Sequence, residues 1–196
     1  MTDKASLRRR ISEALAKLTP QERVAQSLEI VARIEKLPEL SNAGAVAAFW
    51  PTSSEPGIDP LLEALHEKGV WIYLPVVTDF SRSPGSAQRM HFSRFCGRAS
   101  LRPNRWGIME PVGGAASIMD AKALFVPSVA VDRTGARLGH GYGYYDHFLA
   151  GMPHDIPTIS PVFRDQLLPQ IPVQPHDQRL SVIITADEMI RTPSEA

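Results

Sequence analysis

The stretch ALFVPSVAVDRTGARLGHGYGYYDHFLA, residues 123–150, decides the fold class of this 196-residue chain. It begins with an apolar run, Ala123 to Asp132, which is typical of a buried strand. A glycine-rich turn follows, and residues 144–150 then have the composition of a short helix. Because α/β folds are built from strands followed by helices, the stretch predicts a fold of that class.

Three further helices are expected earlier in the chain. The first covers residues 4–18, and the second begins at Pro20, where Thr19 and Glu22 form a capping box. The third runs from Asp59-Pro60 to about Lys68-Gly69. The apolar stripe of the second helix is predicted from its spacing to be Val24, Leu28, Val31 and Ile34.

The other predicted strands are continuously apolar. They cover residues 45–50, 70–77, 88–93, 158–162 and 180–185, with a loop at 78–87. Such strands are buried on both faces, so we predict an open, mostly parallel sheet with helices on both faces. Since ligands bind at the carboxyl ends of parallel strands, the residues just after Trp50, Val77 and Asp132 are the first candidates for a site.

The composition excludes several classes of protein. Hydrophobic residues make up 43% and charged residues 21%, so the chain is expected to fold around a core. Its 21 basic and 21 acidic residues balance, which argues against nucleic-acid or membrane-surface partners. A single cysteine, Cys96, excludes a disulfide framework.

The organisation of the chain is expected to be simple. We predict one domain, residues 1–196, in which an N-terminal helical pair, residues 4–36, packs on the α/β core. No apolar run approaches the roughly 18 residues that cross a bilayer, and the charged N-terminus lacks the apolar segment of a signal peptide. The expectation is therefore a cytoplasmic monomer that acts on small molecules.

The strongest candidate site is the turn that holds Gly139, Gly141 and Gly143. Glycine lets the backbone approach an anion closely, and successive N–H groups at the start of a helix bind phosphate. Arg137, beside the turn, would add a bidentate contact to a phosphate oxygen. A tight turn that only needs glycines remains the alternative. Tyr144 stands where the dinucleotide fingerprint has its third glycine, and no Gly-Lys-Ser/Thr is present, so neither common nucleotide motif applies.

Two carboxylates are candidate ligands of Mg²⁺. Asp146 follows the glycine turn directly, and a carboxylate beside bound phosphates suits this hard cation. Asp177, beside His176, is a second candidate. Each also has a simpler interpretation, because Asp146 is favoured by the dipole in a first helical turn and Asp177 follows Pro175 in a turn.

Other candidates are weaker when each is taken alone. Lys4 and Arg8 lie one helical turn apart on one face, which fits either a phosphate chain or a solvated surface. Glu55 follows the first strand as a ligand residue or an ordinary loop glutamate, and Trp106 either stacks on a flat ring or packs. The six histidines show no HExxH spacing, and no G-x-S-x-G is present, so zinc and serine hydrolases are unsupported.

The segment PSVAVDRTGARLGHGYGYYDHFL, Pro127 to Leu149, closely resembles the signature of the 5-formyltetrahydrofolate cyclo-ligase family. It meets every fixed position of the pattern P-x-x-A-x-D-x-x-G-x-R-L-G-x-G-x-G-Y-Y-D. Weaker matches follow in family order along nearly the whole chain: Lys4-x-x-x-Arg8, Glu55, the stretch NRWGIMEP, and His176-Asp177.

This resemblance implies a fold like that of ribose-5-phosphate isomerase and CoA transferases, and an ATP- and Mg²⁺-dependent reaction. ATP would phosphorylate the formyl oxygen of 5-formyltetrahydrofolate, and N10 would then attack the activated carbon to give 5,10-methenyltetrahydrofolate. The implied catalytic residues are Arg137 and Tyr144, and the implied Mg²⁺ ligands are Asp146 and Asp177.

The resemblance also assigns two sets of binding residues by motif position. The implied ATP site consists of Lys4, Arg8, Arg137, Leu138, Gly139, His140, Gly141, Tyr142, Gly143, Tyr144 and Tyr145. The implied folate site consists of Trp50, Glu55, His140 and Tyr144, to which Trp106 is added as a candidate for the aromatic slot that a flat pterin needs.

The chain departs from some relatives inside the glycine turn. His140 and Tyr142 stand where those relatives carry basic residues, which leaves fewer fixed positive charges near the phosphates. We expect His140 to be partly protonated near neutral pH beside phosphate. Two alternatives stay open: a relative that binds nucleotide or folate without turnover, and an isomerase of a sugar phosphate.

Overall fold

A computed structural model describes residues 3–78, 90–152, 155–174 and 177–193. The predicted loop 78–87, apart from Thr78, and His176 lie outside the described residues. The helices are α1 Lys4–Leu15, α2 Pro20–Ile34, α3 Asp59–Glu67 and α4 Tyr144–Ala150. The strands are β1 Ala45–Ala47, β2 Trp71–Val77, β3 Met90–Arg94, β4 Leu101–Pro103, β5 Met109–Pro111, β6 Leu124–Phe125, β7 Ala130–Asp132, β8 Arg137–Leu138, β9 Thr158–Pro161, β10 Leu167–Leu168, β11 Val182–Ile184 and β12 Met189–Arg191.

The largest sheet has seven strands in the order β12-β11-β9-β6-β1-β2-β3. Its five inner strands are parallel, and β3 and β12 run antiparallel at the two edges. A three-stranded sheet of β10, β7 and β8 and a hairpin of β4 and β5 complete the strand pairs. The predicted α/β fold with a mostly parallel sheet is confirmed.

Helices cover both faces of the large sheet. On one face, Ile30 and Ile34 of α2 and Leu62 of α3 are buried against Val46. On the other face, Leu149 of α4 is buried with Ala47 and its neighbours. The first helix packs elsewhere: its stripe of Leu7, Ile11 and Leu15 covers the small sheet. No helix in the described ranges is long and apolar enough to cross a membrane.

The predicted apolar stripe of α2 is wrong in its first half. Val24 and Leu28 are exposed at 60% and 66%, whereas Gln26, Ile30 and Ile34 are the buried residues. The buried face is held by a polar contact, because the Gln26 side-chain oxygen accepts a hydrogen bond from the Arg164 backbone N–H at 3.0 Å. A glutamine that is paired in this way can occupy a core position that its polarity argues against.

The predicted strand 123–132 is divided between two sheets. Its first part is β6. The last ladder hydrogen bond of this part runs from the Val126 N–H to the Ile159 carbonyl. Pro127 follows, and proline has no N–H with which to continue a ladder. The chain then enters the small sheet as β7, and the Gln166 side chain donates to the carbonyls of Ser128 and Val129 in the gap.

The strand order places a crevice at the carboxyl ends of β1 and β6. From β1 the chain continues to β2 on one side, whereas β6 lies on the other side of β1. Such a reversal of direction opens a gap in which ligands bind. The segments that leave β1 and β6, and the turn that follows β8, all border this crevice.

Candidate active site

A cavity of about 550 Å³ lies at this crevice. Every residue that the sequence singles out for ligand or metal binding lines it, although the sequence places them in five separate segments. These residues are Lys4, Arg8, Trp50, Glu55, Trp106, Arg137, Leu138, Gly139, His140, Gly141, Tyr142, Gly143, Tyr144, Tyr145, Asp146 and Asp177. The fold therefore brings the candidates together, and their individual roles remain predictions.

The glycine turn has the backbone that its sequence requires. Gly141 has a φ of +94° and Gly143 a φ of +72°, left-handed values that other residues adopt only with strain. Arg8 reaches across from α1, and its Nε donates to the Gly139 carbonyl at 2.7 Å. That arginine belongs to a well-capped helix, because the Asp3 carboxylate accepts the backbone N–H groups at the start of α1.

Arg137 lies beneath the turn, with only 4% of its side chain exposed. Its Nη2 donates to Asp146 Oδ1 at 2.7 Å, and its Nη1 donates to the Pro127 carbonyl at 3.3 Å. A Cβ at Gly139 would come within 2.9 Å of Nη1, so the turn rests directly on this guanidinium. Arg137 is predicted from the sequence to contact a phosphate, and in the structure its Nη2 binds Asp146.

The two predicted metal carboxylates each carry a cationic partner. Asp146 pairs with Arg137, and Asp177 Oδ2 lies 2.6 Å from Lys4 Nζ. Among the described residues, no group of three or more His, Cys, Asp or Glu side chains could hold a metal alone. The pair still fits Mg²⁺, because that ion is usually held by one or two carboxylates together with phosphates and waters.

Glu55 is fixed by the loop that follows β1. Its Oε2 accepts hydrogen bonds from the Thr52 N–H at 2.7 Å and from the Thr52 hydroxyl at 2.8 Å. Burial raises the pKa of Glu55, and the two hydrogen bonds from Thr52 only partly oppose this. The carboxyl group thus binds a proton more readily than an exposed glutamate does.

The hydroxyl of Tyr145 is buried and has no hydrogen-bond partner within the described structure. Burial raises the pKa of Tyr145 strongly, the charge of Glu55 raises it further, and Arg137 opposes the shift. The phenol therefore keeps its proton and can donate a hydrogen bond to a ligand.

Aromatic rings form one wall of the cavity. The centroid of Trp106 lies 5.0 Å from that of Tyr142 and 6.4 Å from that of Tyr144, and the two tyrosine rings are stacked at 5.6 Å. Trp50 is placed differently, because it is 7% exposed and packs on Phe95 at 5.5 Å. Of the two tryptophans, Trp106 has more surface to offer to a ligand.

The turn that carries Trp106 is held by Asn104. The Asn104 side-chain oxygen accepts the N–H groups of Trp106 and Ile108, and its amide nitrogen donates to Glu110 at 2.8 Å. Glu110 in turn accepts the Val77 N–H at 3.1 Å, which ties the hairpin to the large sheet. The segment NRWGIMEP thus combines a ring with the residues that hold it in place.

The surroundings of His140 within the chain disfavour its protonation, and the expected protonation beside a phosphate stays a prediction. Loss of solvation lowers the pKa of His140, and the positive charges of Arg8 and Arg137 lower it further. Phosphate is the neighbour on which the prediction from sequence rests, whereas the structure also places these two arginines near the ring. The imidazole is therefore expected to be neutral at pH 7 until an anion binds.

Sequence reasoning missed several residues of the cavity. They are Phe49, Thr52, Ser54, Pro75, Val77, Met90, Ile108, Met109, Glu110, Pro127 and Gln174. Most follow a strand or belong to the β4–β5 hairpin, so their positions carry a signal although their residue types do not. Glu110 lies in the stretch NRWGIMEP, but its residue type did not predict that its carboxylate accepts a backbone N–H group.

Comparisons with known proteins identify the family of this chain. The model of the 5-formyltetrahydrofolate cyclo-ligase family matches residues 1–186. The chain is 35% identical to the 5-formyltetrahydrofolate cyclo-ligase of Mycolicibacterium smegmatis over 143 residues, which cover 71% of this chain and 72% of that one. It is 30% identical to the protein of the same name from Escherichia coli K12, over 88% of this chain and 94% of that one.

Solved structures give the same result. The 5,10-methenyltetrahydrofolate synthetase of Aquifex aeolicus has a TM-score of 0.81 and 27% identity, over 98% of this chain and 94% of that one. The synthetase of Mycoplasma pneumoniae, at 20% identity and a TM-score of 0.73, shares the fold over 94% of this chain and 99% of that one. The chain belongs to the 5-formyltetrahydrofolate cyclo-ligase family.

Proposed function

We propose that this protein catalyses the ATP-dependent cyclisation of 5-formyltetrahydrofolate to 5,10-methenyltetrahydrofolate, with ADP and phosphate as the other products. One observation carries the proposal: a glycine turn suited to phosphates and an aromatic wall suited to a flat ring face the same cavity. The reaction of this family uses ATP and a folate, the two ligands for which these parts of the cavity are suited.

The chemistry needs no protein nucleophile. The formyl oxygen attacks the γ-phosphorus and ADP leaves, which converts that oxygen into part of a good leaving group. N10 then attacks the formyl carbon, loses its proton, and inorganic phosphate departs with the former formyl oxygen. Positioning and charge stabilisation are the main requirements of phosphoryl transfer, and the cavity offers both.

Phosphate binding is assigned to the glycine turn and the cations around it. The backbone N–H groups of residues 138–145 would hold the phosphate oxygens, and Lys4 and Arg8 would supply positive charge. Arg8 is already oriented by its bond to Gly139. Arg137 lies beneath the turn, where it fixes the shape of the turn and the position of Asp146. From this buried position it would support the transferring phosphoryl group.

Folate binding is assigned to the aromatic wall and to the loop that follows β1. Trp106 and Tyr144 would stack on the pterin, and Trp50 would close the slot from the β1 side. Glu55 would accept hydrogen bonds from the polar edge of the ring, and Tyr145 would donate its buried hydroxyl to the bound ligands. A buried hydroxyl without a partner is costly, so a ligand that pairs with it gains affinity.

Mg²⁺ would be held by Asp146 and Asp177 together with phosphate oxygens and waters. When bound, the ion offsets negative charge that develops on the phosphates. Arg137 and Lys4 now neutralise these carboxylates, so the same two cations keep them in place before the ion arrives. We also propose that the protein acts as a cytoplasmic monomer.

The test is a direct assay. Purified protein with ATP, Mg²⁺ and 5-formyltetrahydrofolate should produce the methenyl chromophore, together with one ADP and one phosphate per turnover. Omission of ATP is the control. Folded protein that gives no absorbance above background would contradict the proposal.

A second candidate is a module that binds nucleotide or folate without turnover. It is favoured by His140 and Tyr142, which leave the turn with fewer fixed charges than a basic loop has. Calorimetry that shows binding of both ligands, in protein that gives no methenyl product, would support it.

A further inference from the structure

Three aromatic rings from two separate segments meet on one wall of the cavity. Tyr142 and Tyr144 come from the glycine turn and the start of α4, whereas Trp106 comes from the turn between β4 and β5. The Tyr142 ring lies 5.0 Å from Trp106 and 5.6 Å from Tyr144, and the two tyrosine rings are within 5° of parallel. These are the separations of packed aromatic pairs, so the rings join the glycine turn to the hairpin.

Tyr142 makes this connection from inside the glycine turn. It stands between Gly141 and Gly143, whose left-handed backbone sets the direction of the residue between them. Any ligand that fixes the N–H groups of the turn therefore also fixes the position of the Tyr142 ring. Because Tyr142 contacts both Tyr144 and Trp106, the arrangement of the aromatic wall depends on the state of the turn.

We propose that Tyr142 is a positioning residue that couples nucleotide binding to folate binding, an inference that rests on the proposed function. Phosphates on the glycine turn hold Tyr142, and Tyr142 holds the wall against which the folate ring packs. The coupling is reciprocal, so folate tightens nucleotide binding by the same factor. Once a bound nucleotide has ordered the aromatic wall, folate binding no longer carries the entropic cost of ordering it.

The chemistry of the side chain distinguishes this role from phosphate binding. A phenol is neutral, whereas a basic residue at the same position would attract phosphates but could not stack on Trp106 or Tyr144. Three variants separate these properties. Tyr142→Phe keeps the ring, Tyr142→Leu removes the ring and keeps an apolar side chain, and Tyr142→Lys replaces the ring with a charge.

The experiment is calorimetric titration of 5-formyltetrahydrofolate into the full chain, with and without saturating AMP-PNP and Mg²⁺. In the wild type, the nucleotide should tighten folate binding by about fivefold or more. Tyr142→Leu should bring that factor close to one, because both aromatic contacts are lost, while Tyr142→Phe should retain it. Tyr142→Lys should bind AMP-PNP more tightly at low salt and still lose the coupling.

A second variant tests the same contact from the hairpin. Trp106→Leu should also lose the coupling, and the double variant should lose no more than either single one, since both remove the same contact. Circular dichroism establishes that each variant is folded. Nucleotide-induced quenching of tryptophan emission should be present in Tyr142→Phe and reduced in Tyr142→Leu.

Several results would overturn the inference. The first is a wild-type protein without coupling, and the second is full coupling in Tyr142→Leu. The third is a loss of coupling in Tyr142→Phe as large as that in Tyr142→Leu, which would assign the effect to the hydroxyl. A wild-type protein that binds neither AMP-PNP nor folate would instead refute the proposed function, and the inference would fall with it.

Discussion

At the scale of single residues, Arg137 shows how burial changes the meaning of a motif. An arginine beside three glycines predicts a phosphate contact, yet its guanidinium is buried and binds Asp146 and the Pro127 carbonyl. The sequence predicts that Arg137 and Asp146 belong to one site. It does not predict that they pair, because nine residues and a turn of undetermined shape separate them.

Arg137→Ala should weaken both ATP use and the fold. The variant leaves Asp146 without its charged partner and removes the support beneath Gly139, so the KM for ATP should rise and stability should fall by roughly 1–3 kcal/mol. Arg133→Ala, which breaks an exposed pair with Glu188, is the control and should cost at most about 1 kcal/mol. Initial rates against ATP concentration and urea unfolding measure the two effects; an unchanged KM would remove Arg137 from the ATP site.

His140 should make ATP binding depend on pH. Arg8, Arg137 and loss of solvation lower the pKa of His140 in the free protein, whereas a bound phosphate would raise it. Binding therefore takes up a proton, and the affinity for ATP should increase as the pH falls from about 8 to about 6. Calorimetry in buffers of different ionisation enthalpy counts that proton, and it should be absent in His140→Gln. A variant with the wild-type pH profile would contradict this assignment.

Ionisation of Glu55 should lower the free energy of unfolding as the pH rises. Burial raises its pKa in the native state, so the folded protein binds this proton more tightly than the unfolded chain does. The contribution is favourable below the ordinary pKa of a glutamate and is lost as the pH passes the raised native value. Glu55→Gln should thus gain stability relative to the wild type as the pH rises above the ordinary pKa of a glutamate.

The opposite sign is expected at Glu39, which serves as the control for Glu55. Hydrogen bonds from Arg191 lower the pKa of Glu39, so Glu39→Gln should lose stability relative to the wild type as the pH rises towards the ordinary pKa of a glutamate, with no further trend above it. Urea unfolding at several pH values measures both. Parallel trends for the two variants would show that burial does not dominate at Glu55.

At the scale of elements, substitutions at two glycines distinguish the cost of backbone strain from a loss of nucleotide binding. Gly143 in the turn and Gly69 after α3 both have a left-handed backbone, and a Cβ at either would meet nothing within 4 Å. Gly143→Ala and Gly69→Ala should therefore each cost about 1 kcal/mol of stability. Only Gly143→Ala should weaken AMP-PNP binding; equal affinities in the two variants would place the phosphates elsewhere.

Two other elements show where local sequence reasoning ends. The stripe of Val24 and Leu28 fits helical spacing, but α2 packs along the face of Gln26 and Ile30 because Arg164 supplies a partner for the glutamine. The run from Ala123 to Asp132 is uniformly apolar, but Pro127 ends its pairing and the remainder joins a second sheet. In the first case a contact distant in sequence decides the outcome; in the second, Pro127 is a local signal and only the pairing with β10 is distant in sequence.

At the scale of the whole molecule, the position of the cavity follows from the parallel sheet and could be predicted. Residues after β1 and at the end of β2 line it, as the rule for carboxyl ends requires, whereas Arg133 and Thr134, directly after Asp132, do not. The strand order could not be predicted, because it depends on which strands pair across long separations in sequence. The hairpin of β4 and β5 was missed for a different reason, since strands of three residues give no periodic signal.

The central claim is that the glycine turn holds the phosphates of ATP beside the folate. A crystal structure of the protein with AMP-PNP and Mg²⁺ tests it most directly. Phosphate oxygens are expected within hydrogen-bond distance of the N–H groups of residues 139–143, with Arg8 beside them and Asp146 on the metal. A nucleotide bound outside this cavity, or phosphates that do not touch the turn, would contradict the account.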